Sequence, residues 1–365
     1  MVAKINADTS GGLKITSDTS GTLEIQSAGT TKFTVSSAGV AMPGPLTGLT
    51  SINGGQLAGN RNLILNGDFT LWQRGTSQSA LTAAGTYLAD RWTHSNHQTA
   101  LHTRQAFAAS GTHPANSQYV LRASGDSTST ASRIVTSQGV ESVNCIPLRG
   151  KTITMSLYLR CAAATMTASG LGNLNILVGG TSATADAALA TSAYDAGGST
   201  NSAIAQGSLP TTWTKITATY TVPTNTNNLI VYVGFANEVN AGTGDWYEIS
   251  QVQVEIGSTA TPFEQRGIGT ELALCQRYYW AGTWAGGATA DDDHSINILG
   301  GQYPTTLRTT PTVTIVSGSM TGHHGIAPTS VSTNDKDNAS FTWSGSGYRS
   351  IGSRASVTFN TSAEL

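Results

Sequence analysis

The stretch Lys151-Thr152-Ile153-Thr154-Met155-Ser156-Leu157-Tyr158-Leu159-Arg160-Cys161 alternates without a break. Ile153, Met155, Leu157, Leu159 and Cys161 share one parity, and Thr152, Thr154, Ser156, Tyr158 and Arg160 share the other. Successive side chains of a strand point to opposite faces, so this run predicts a β-strand with one apolar and one polar face. Such a strand needs neighbours in a sheet and a second layer over its apolar side. The fold class it predicts is all-β. Residues 215–222 repeat the pattern, with Ile216, Ala218, Tyr220 and Val222 inward and threonines outward. Residues 229–235 are apolar on both parities, which predicts a central strand. In 247–256 the apolar parity passes from Tyr247 and Ile249 to Val252, Val254 and Ile256, which predicts a β-bulge near Ser250-Gln251. The Ala-, Ser-, Thr- and Gly-rich stretch 181–209 reads as a loop excursion with a short helix around 186–190. Residues 60–267 together predict an antiparallel jelly-roll sandwich with Ile153, Met155, Leu157, Leu159, Ile216, Tyr220, Val231, Val233, Val252 and Val254 in its core.

On the N-terminal side, Leu13-Lys14-Ile15, Leu23-Glu24-Ile25 and Phe33-Thr34-Val35 recur at a spacing of ten residues. Each reads as a short strand followed by a turn. A chain this thin cannot cover its own apolar faces. Residues 1–59 therefore predict an intertwined β shaft, shared by several copies around one axis, with Leu23, Ile25, Phe33 and Val35 near it. A β-meander packed on the next domain is the other solution. Pro43 and Pro45 end the shaft and open a connector that runs to Gly59. On the C-terminal side, 269–280 predicts a helix capped by Thr270, with Leu272, Leu274, Cys275 and Tyr278 on its apolar side. The rest of 268–365 returns to short strands and predicts a small, separate β domain.

Composition narrows the function. Of 365 residues, 38% are hydrophobic and 11% charged, with 41 glycines and a net charge of −2. No basic stripe serves nucleic acid or an anionic membrane surface. No apolar run reaches the ~20 residues of a membrane span. Residues 1–20 are polar, which predicts no secretory signal and assembly in the cytoplasm. Cys145, Cys161 and Cys275 are odd in number and widely spaced, which predicts buried reduced thiols rather than disulfides or a zinc site. Gly150-Lys151-Thr152 lacks the earlier glycine of a phosphate-binding loop and opens a strand. No catalytic motif occurs, and no carboxylate pair stands out as a glycosidase pair would.

Four strings carry a resemblance. They are Asn62-Leu63-Ile64-Leu65-Asn66-Gly67-Asp68-Phe69, Trp72-Gln73-Arg74-Gly75, Ala89-Asp90-Arg91-Trp92, and Gln251-Val252-Gln253-Val254-Glu255-Ile256-Gly257 running on to Thr261-Pro262-Phe263-Glu264-Gln265-Arg266. With 271–279 and 303–313 after them, they resemble bacteriophage tail-fibre and tail-appendage proteins. The central part of that family looks like a carbohydrate-binding-module jelly roll. The resemblance implies a homotrimeric virion fibre, joined to other tail proteins through its N-terminus, that binds a host-surface polysaccharide or other receptor. It also implies a structural calcium ion near 66–69 that takes a carboxylate from the last strand. Asn66, Asp68 and Glu248 are the candidate ligands here, with Ser250 and Gln251 standing where an Asp is expected.

An indole either packs inside or offers its face to a sugar ring. Trp72 and Trp92 read as packing. Trp213 shares parity with outward threonines, and Trp246 follows a polar loop, so both are ligand candidates. Trp284, Trp343 and Tyr348 lie in polar, loop-rich sequence and place recognition on 268–365. His94 and His97 lack a third ligand at metal spacing. The adjacent carboxylates of 291–293 read as a solvated loop, and adjacent His323 and His324 point in different directions, so three copies of one histidine could meet an ion across a three-fold axis. The expected function is a non-enzymatic structural and adhesive virion protein. The alternatives are a fibre-borne polysaccharide depolymerase and a purely structural head or tail decoration.

Overall fold

The computed structural model describes residues 22–27, 30–37, 39–41, 59–78, 86–94, 100–106, 114, 117–125, 132–163, 172–182, 186, 199–239, 242–287, 297–321, 330–343 and 354–364. The chain divides into two compact units, Met1–Ile52 and Asn53–Leu365.

In the first unit, β1 (Leu23–Ser27), β2 (Thr30–Ser36) and β3 (Gly39–Ala41) form an antiparallel meander. Leu23 faces Val35 and Ile25 faces Phe33, so the second and third repeats find their first partners within one chain. Leu23, Phe33 and Val35 become half-buried, while Ile25 stays 52% exposed and Val40, on the third strand, 62%. Residues 13–15 lie outside the described residues.

The second unit begins with the sandwich. Its elements are β4 (Ser77–Gln78), β5 (Thr86–Tyr87), β6 (Thr93–His94), β7 (Ala100–Ala106), β8 (Tyr119–Gly125), β9 (Ser132–Val140), α1 (Ser142–Cys145), β10 (Thr152–Cys161), β11 (Leu174–Thr181), β12 (Ser199–Ile204), β13 (Thr214–Thr221), β14 (Asn228–Val239) and β15 (Trp246–Ile256). One six-stranded sheet runs β13-β10-β15-β8-β7-β4 and the other β12-β11-β14-β9-β6-β5. The inward residues of β10, β13, β14 and β15 build the core, as their alternation predicts. Ile216 packs against it while staying partly exposed. β14 is central, between β11 and β9, and its second face is covered too, with Ile230 and Tyr232 buried. The bulge falls where the parity switch places it. Register slips between Ser156 and Tyr158, and Gln251 takes φ 53°. The 181–209 stretch corrects the sequence reading. Ser199–Ile204 is an edge strand paired with β11, because backbone hydrogen bonds hold an edge without apolar side chains. Residues 187–190 lie outside the described residues.

The helix α2 (Ile268–Gln276) starts one residue early and stops short of the predicted end. Gly267, not Thr270, occupies its N-cap, and Trp280 belongs to the following strand. Then come β16 (Tyr279–Gly287), β17 (Asn297–Gln302), β18 (Thr312–Thr321), β19 (Ser330–Asn334), β20 (Asn338–Trp343) and β21 (Arg354–Ser362). They form two three-stranded sheets, β16-β21-β18 and β17-β20-β19.

The boundary expected at 267/268 falls inside the second unit, and buried ions cross it. Glu364 pairs with Arg91 and, at 3.0 Å, with Arg74. Arg277 reaches Glu141 at 2.8 Å, and Glu271 accepts from Arg266 at 2.9 Å and from the Asn66 amide. Burial pulls the Arg91 guanidinium down, but Glu364 and the flanking tyrosines outweigh it and hold it above its ordinary value. The three cysteines are unpaired and buried, as expected.

Candidate functional site

The polar side of β10 faces away from the core, and cross-strand register aligns it with its neighbours. Arg160 lies opposite Glu248 on β15, Glu248 opposite Arg122 on β8, and Arg122 opposite Thr103 on β7. Leu159 pairs with Thr214, so continuing that register by one residue sets Trp213 beside Arg160. The row Trp213–Arg160–Glu248–Arg122 crosses four strand positions, a span of roughly 14 Å at the usual strand spacing. Trp246, two residues before Glu248, falls on the same face.

The charges in this row are locked together. Arg122 donates to Glu248 Oε1 from Nε at 2.9 Å and Nη2 at 2.6 Å. Arg160 donates to Oε2 from Nε at 2.9 Å and Nη2 at 2.5 Å. Glu248 is 1% exposed, whereas its partners are 32% and 33% exposed. The Arg122 guanidinium lies 4.2 Å from the Trp246 ring centroid, and Arg160 lies 5.4 Å from Trp213 and 5.5 Å from Trp246. Contacts of this kind contribute about 0.5–2 kcal/mol each. The result is a fixed platform of half-buried indoles and guanidiniums. Next to it, Ser156, Tyr158, Lys215, Gln251, Phe263 and Gln265 line a hollow of about 200 Å³. A second hollow, of about 330 Å³, shares Phe263 and Gln265 and reaches Asp68 and Arg266.

The structure thus brings Trp213, Trp246 and Glu248 together, but gives Glu248 a different role from the expected one. Its two oxygens are taken by four guanidinium N–H groups, which leaves none of the lone-pair freedom a calcium ligand needs. Asn66 is also committed. Its Oδ1 accepts from the Leu71 amide at 2.9 Å, and its Nδ2 donates to the Leu71 and Asp90 carbonyls at 2.8 and 3.1 Å. Asp68 accepts from Gln265 at 3.1 Å. This corner docks on β15 through Gly67, where a Cβ would sit 2.2 Å from the Val252 carbonyl oxygen. Glu248 stands four residues up the strand from that contact. Asn66, Asp68 and Glu248 do not fit one calcium ion, and no cluster of three His, Cys, Asp or Glu residues that could hold a metal occurs among the described residues.

Of the terminal aromatics, the structure places the Trp284 side chain. Trp284 stacks on Tyr303 at 5.9 Å and meets Phe359 edge-on at 4.7 Å and Phe341 at 6.0 Å. It is half-buried and packs against the second core, which has few aliphatic side chains of its own. Trp343 ends β20, opposite Asn297, and nothing further is described of its side chain. Tyr348, His97, His323, His324 and 291–294 lie outside the described residues. Trp72 and Trp92 are buried, as expected. His94 is buried against His102, 5.1 Å between ring centroids, a partner the sequence did not single out.

Arg122 and Arg160 are the residues of this candidate site that sequence reading missed. Arg160 was visible as an outward position of β10. Arg122 left no such signal, since β8 is buried on both parities except at that residue and at Tyr119.

No protein-family model matches the chain, and no curated protein matches it. Solved structures share parts of its shape. A structure described as "CBM4 structure and function" aligns at 12% identity and TM-score 0.28, over 52% of this chain and 97% of that one. The CBM22-1–GH10 modules of Clostridium thermocellum xylanase 10B, complexed with xylohexaose, align at 10% identity and TM-score 0.26 over 50% of this chain. The active domain of bacteriophage CBA120 tailspike protein 4 aligns at 10% identity and TM-score 0.32 over 54% of this chain. The match spans 28% of the xylanase and 21% of the tailspike domain, less than a third of either. At such identities and scores the likeness carries no function, and the reading of the platform rests on its own residues.

Proposed function

We propose that the chain is a non-enzymatic adhesive protein of a phage tail fibre, and that it binds a host-surface glycan on the outer face of the β13–β4 sheet. The observation that carries the glycan reading is the platform itself. Two half-buried indoles stand outside a sheet whose other face carries a closed core to which neither contributes, so core packing does not account for them. They are set rigidly beside hydrogen-bonding groups, which is the mix of stacking area and polar contacts that a sugar ring requires. The fibre reading rests on the order and spacing of the four strings in 60–266.

We place recognition on the sandwich rather than on 268–365 because Trp213 and Trp246 stand together on one face beside two arginines, whereas Trp284 packs against the second core. The homotrimer rests on the first unit, whose apolar residues Ile25 and Val40 stay open despite pairing within the chain. Three weak sites on one stalk would gain about 10²–10⁴ in avidity.

The test is binding of the full chain to intact host cells and to their isolated polysaccharide. Trp213→Ala and Trp246→Ala should each weaken binding at least tenfold, about 1.4 kcal/mol. Unchanged binding by both variants would move the receptor site off this face. Light scattering at micromolar concentration should give three times the monomer mass, and a monomer would end the trimer reading. Release of polysaccharide fragments during incubation would replace the adhesin with the depolymerase.

A further inference from the structure

We propose that the platform selects a sugar acid, a hexuronic acid or a related carboxylate-bearing residue, over a neutral sugar. This rests on the reading of the face as a glycan platform. Charge is the first support. The whole chain carries −2, yet at the outward strand positions of this face the charged groups that reach solvent, among the described residues, are the cations Arg122, Arg160 and Lys215, while Asp68 stands off the strands in the adjoining hollow, bonded to Gln265. Its two carboxylates, Glu248 at 1% and Glu255 at 2% exposure, are sealed. Glu255 is saturated by Gln253 and Thr261, at 2.7–2.8 Å.

Geometry is the second support. Glu248 uses the Nε and Nη2 groups of both arginines, which leaves each Nη1 without a partner among the described residues. Nη1–H and the second hydrogen of Nη2 still give the end of each guanidinium two parallel donors for an incoming carboxylate, and such charge-assisted bonds are roughly twice as strong as neutral ones. A neutral sugar brings only hydroxyl acceptors to the same donors. Placement is the third support. Each fork lies against an indole, so a ring stacked on Trp213 or Trp246 would carry its carboxylate to the adjacent arginine. Glu248 acts here as a positioning residue, since it holds both forks in place before any ligand arrives.

Affinity electrophoresis of the full chain tests this, in gels containing polygalacturonate, alginate, methyl-esterified polygalacturonate, dextran or polyglutamate. Polygalacturonate or alginate should retard the protein at a concentration at least tenfold lower than the methyl ester or dextran does. Arg160→Gln should abolish that preference. Because it leaves Glu248 half-paired, the double variant Arg160→Gln/Glu248→Gln is run beside it, with folding checked by circular dichroism. It too should lose the preference. Trp213→Ala should weaken retention by every sugar. Equal retardation by the methyl ester would overturn the acid preference and leave the glycan reading standing. Retardation by polyglutamate as strong as by polygalacturonate would show a bare anion patch and overturn it as well. No retardation by any sugar would sink both readings.

Discussion

The sandwich and the terminal region fill their interiors with different proportions of aliphatic and aromatic side chains. In the sandwich, long alternating strands supply most of the core between two six-stranded sheets as Ile, Leu, Val and Met, with Phe69, Trp72, Trp92, Phe235 and Tyr247 among them. Trp213 and Trp246 are then left on the outside. The terminal region has shorter sheets rich in Gly, Ser and Thr, and it closes its core with rings. Trp280, Trp284, Tyr303, Phe341 and Phe359 meet there at centroid distances of 4.6–6.0 Å. Gly301 makes room for the Trp284 indole, whose nearest atom would lie 2.9 Å from an added Cβ. An isolated aromatic in polar sequence is thus no guide to a binding face. What matters is whether the surrounding strands have already filled the interior by other means.

The two regions are nevertheless joined, and breaking the joint should give the largest effect. Glu364→Gln leaves the 2%-exposed Arg91 without its charge partner. Losing one member of a buried pair costs about 3–5 kcal/mol. Urea unfolding should show that loss in the sandwich signal as well as in the terminal one. A loss confined to the terminal region would mean that the regions unfold independently.

Core truncation compares the two interiors directly. Phe359→Ala should cost about 3–5 kcal/mol and Leu157→Ala about 2–5 kcal/mol. Both residues are essentially unexposed. With the ion pairs intact, each variant should shift one shared calorimetric transition. Two separate transitions would restore the 267/268 boundary as a true domain border.

A smaller effect belongs to the sandwich alone. Burial, with His94 adding to it, holds His102 well below its usual pKa. The folded state therefore keeps His102 neutral while the unfolded chain protonates near pH 6.5, so stability is lost as pH falls below that value. The slope from this group approaches about 1.4 kcal/mol per pH unit. His102→Gln should flatten the decline between pH 6 and 5, and an unchanged slope would assign the loss elsewhere. The smallest expected signal is chemical. Burial pushes the Cys145 and Cys161 thiols up to about 12, and Cys275 also lies far above its usual range. No thiol should react with a disulfide reagent at pH 8 in the native protein, and three should react in denaturant. Rapid native labelling would show that one of the interiors opens.

The sequence by itself determined whatever depends on local period. Alternation in 151–161 and 215–222 specified strands and their core faces. The parity switch in 247–256 located the bulge at Gln251. Outward parity was enough to mark Trp213, and a polar preceding loop to mark Trp246. These are properties of neighbours in the chain, and the two-residue repeat of a strand carries them directly. Tertiary structure decided everything that depends on residues far apart. It paired Glu248 with arginines 126 and 88 residues away, and so turned a candidate metal ligand into the brace of a platform. It drew 199–204 into a sheet edge through backbone bonds that side-chain pattern does not record. It packed Trp284 against the terminal core, and tied Glu364 to Arg91 across 273 residues. Charge pairing and burial act through space, and a period read along the chain contains no information about which distant group will neutralise a carboxylate.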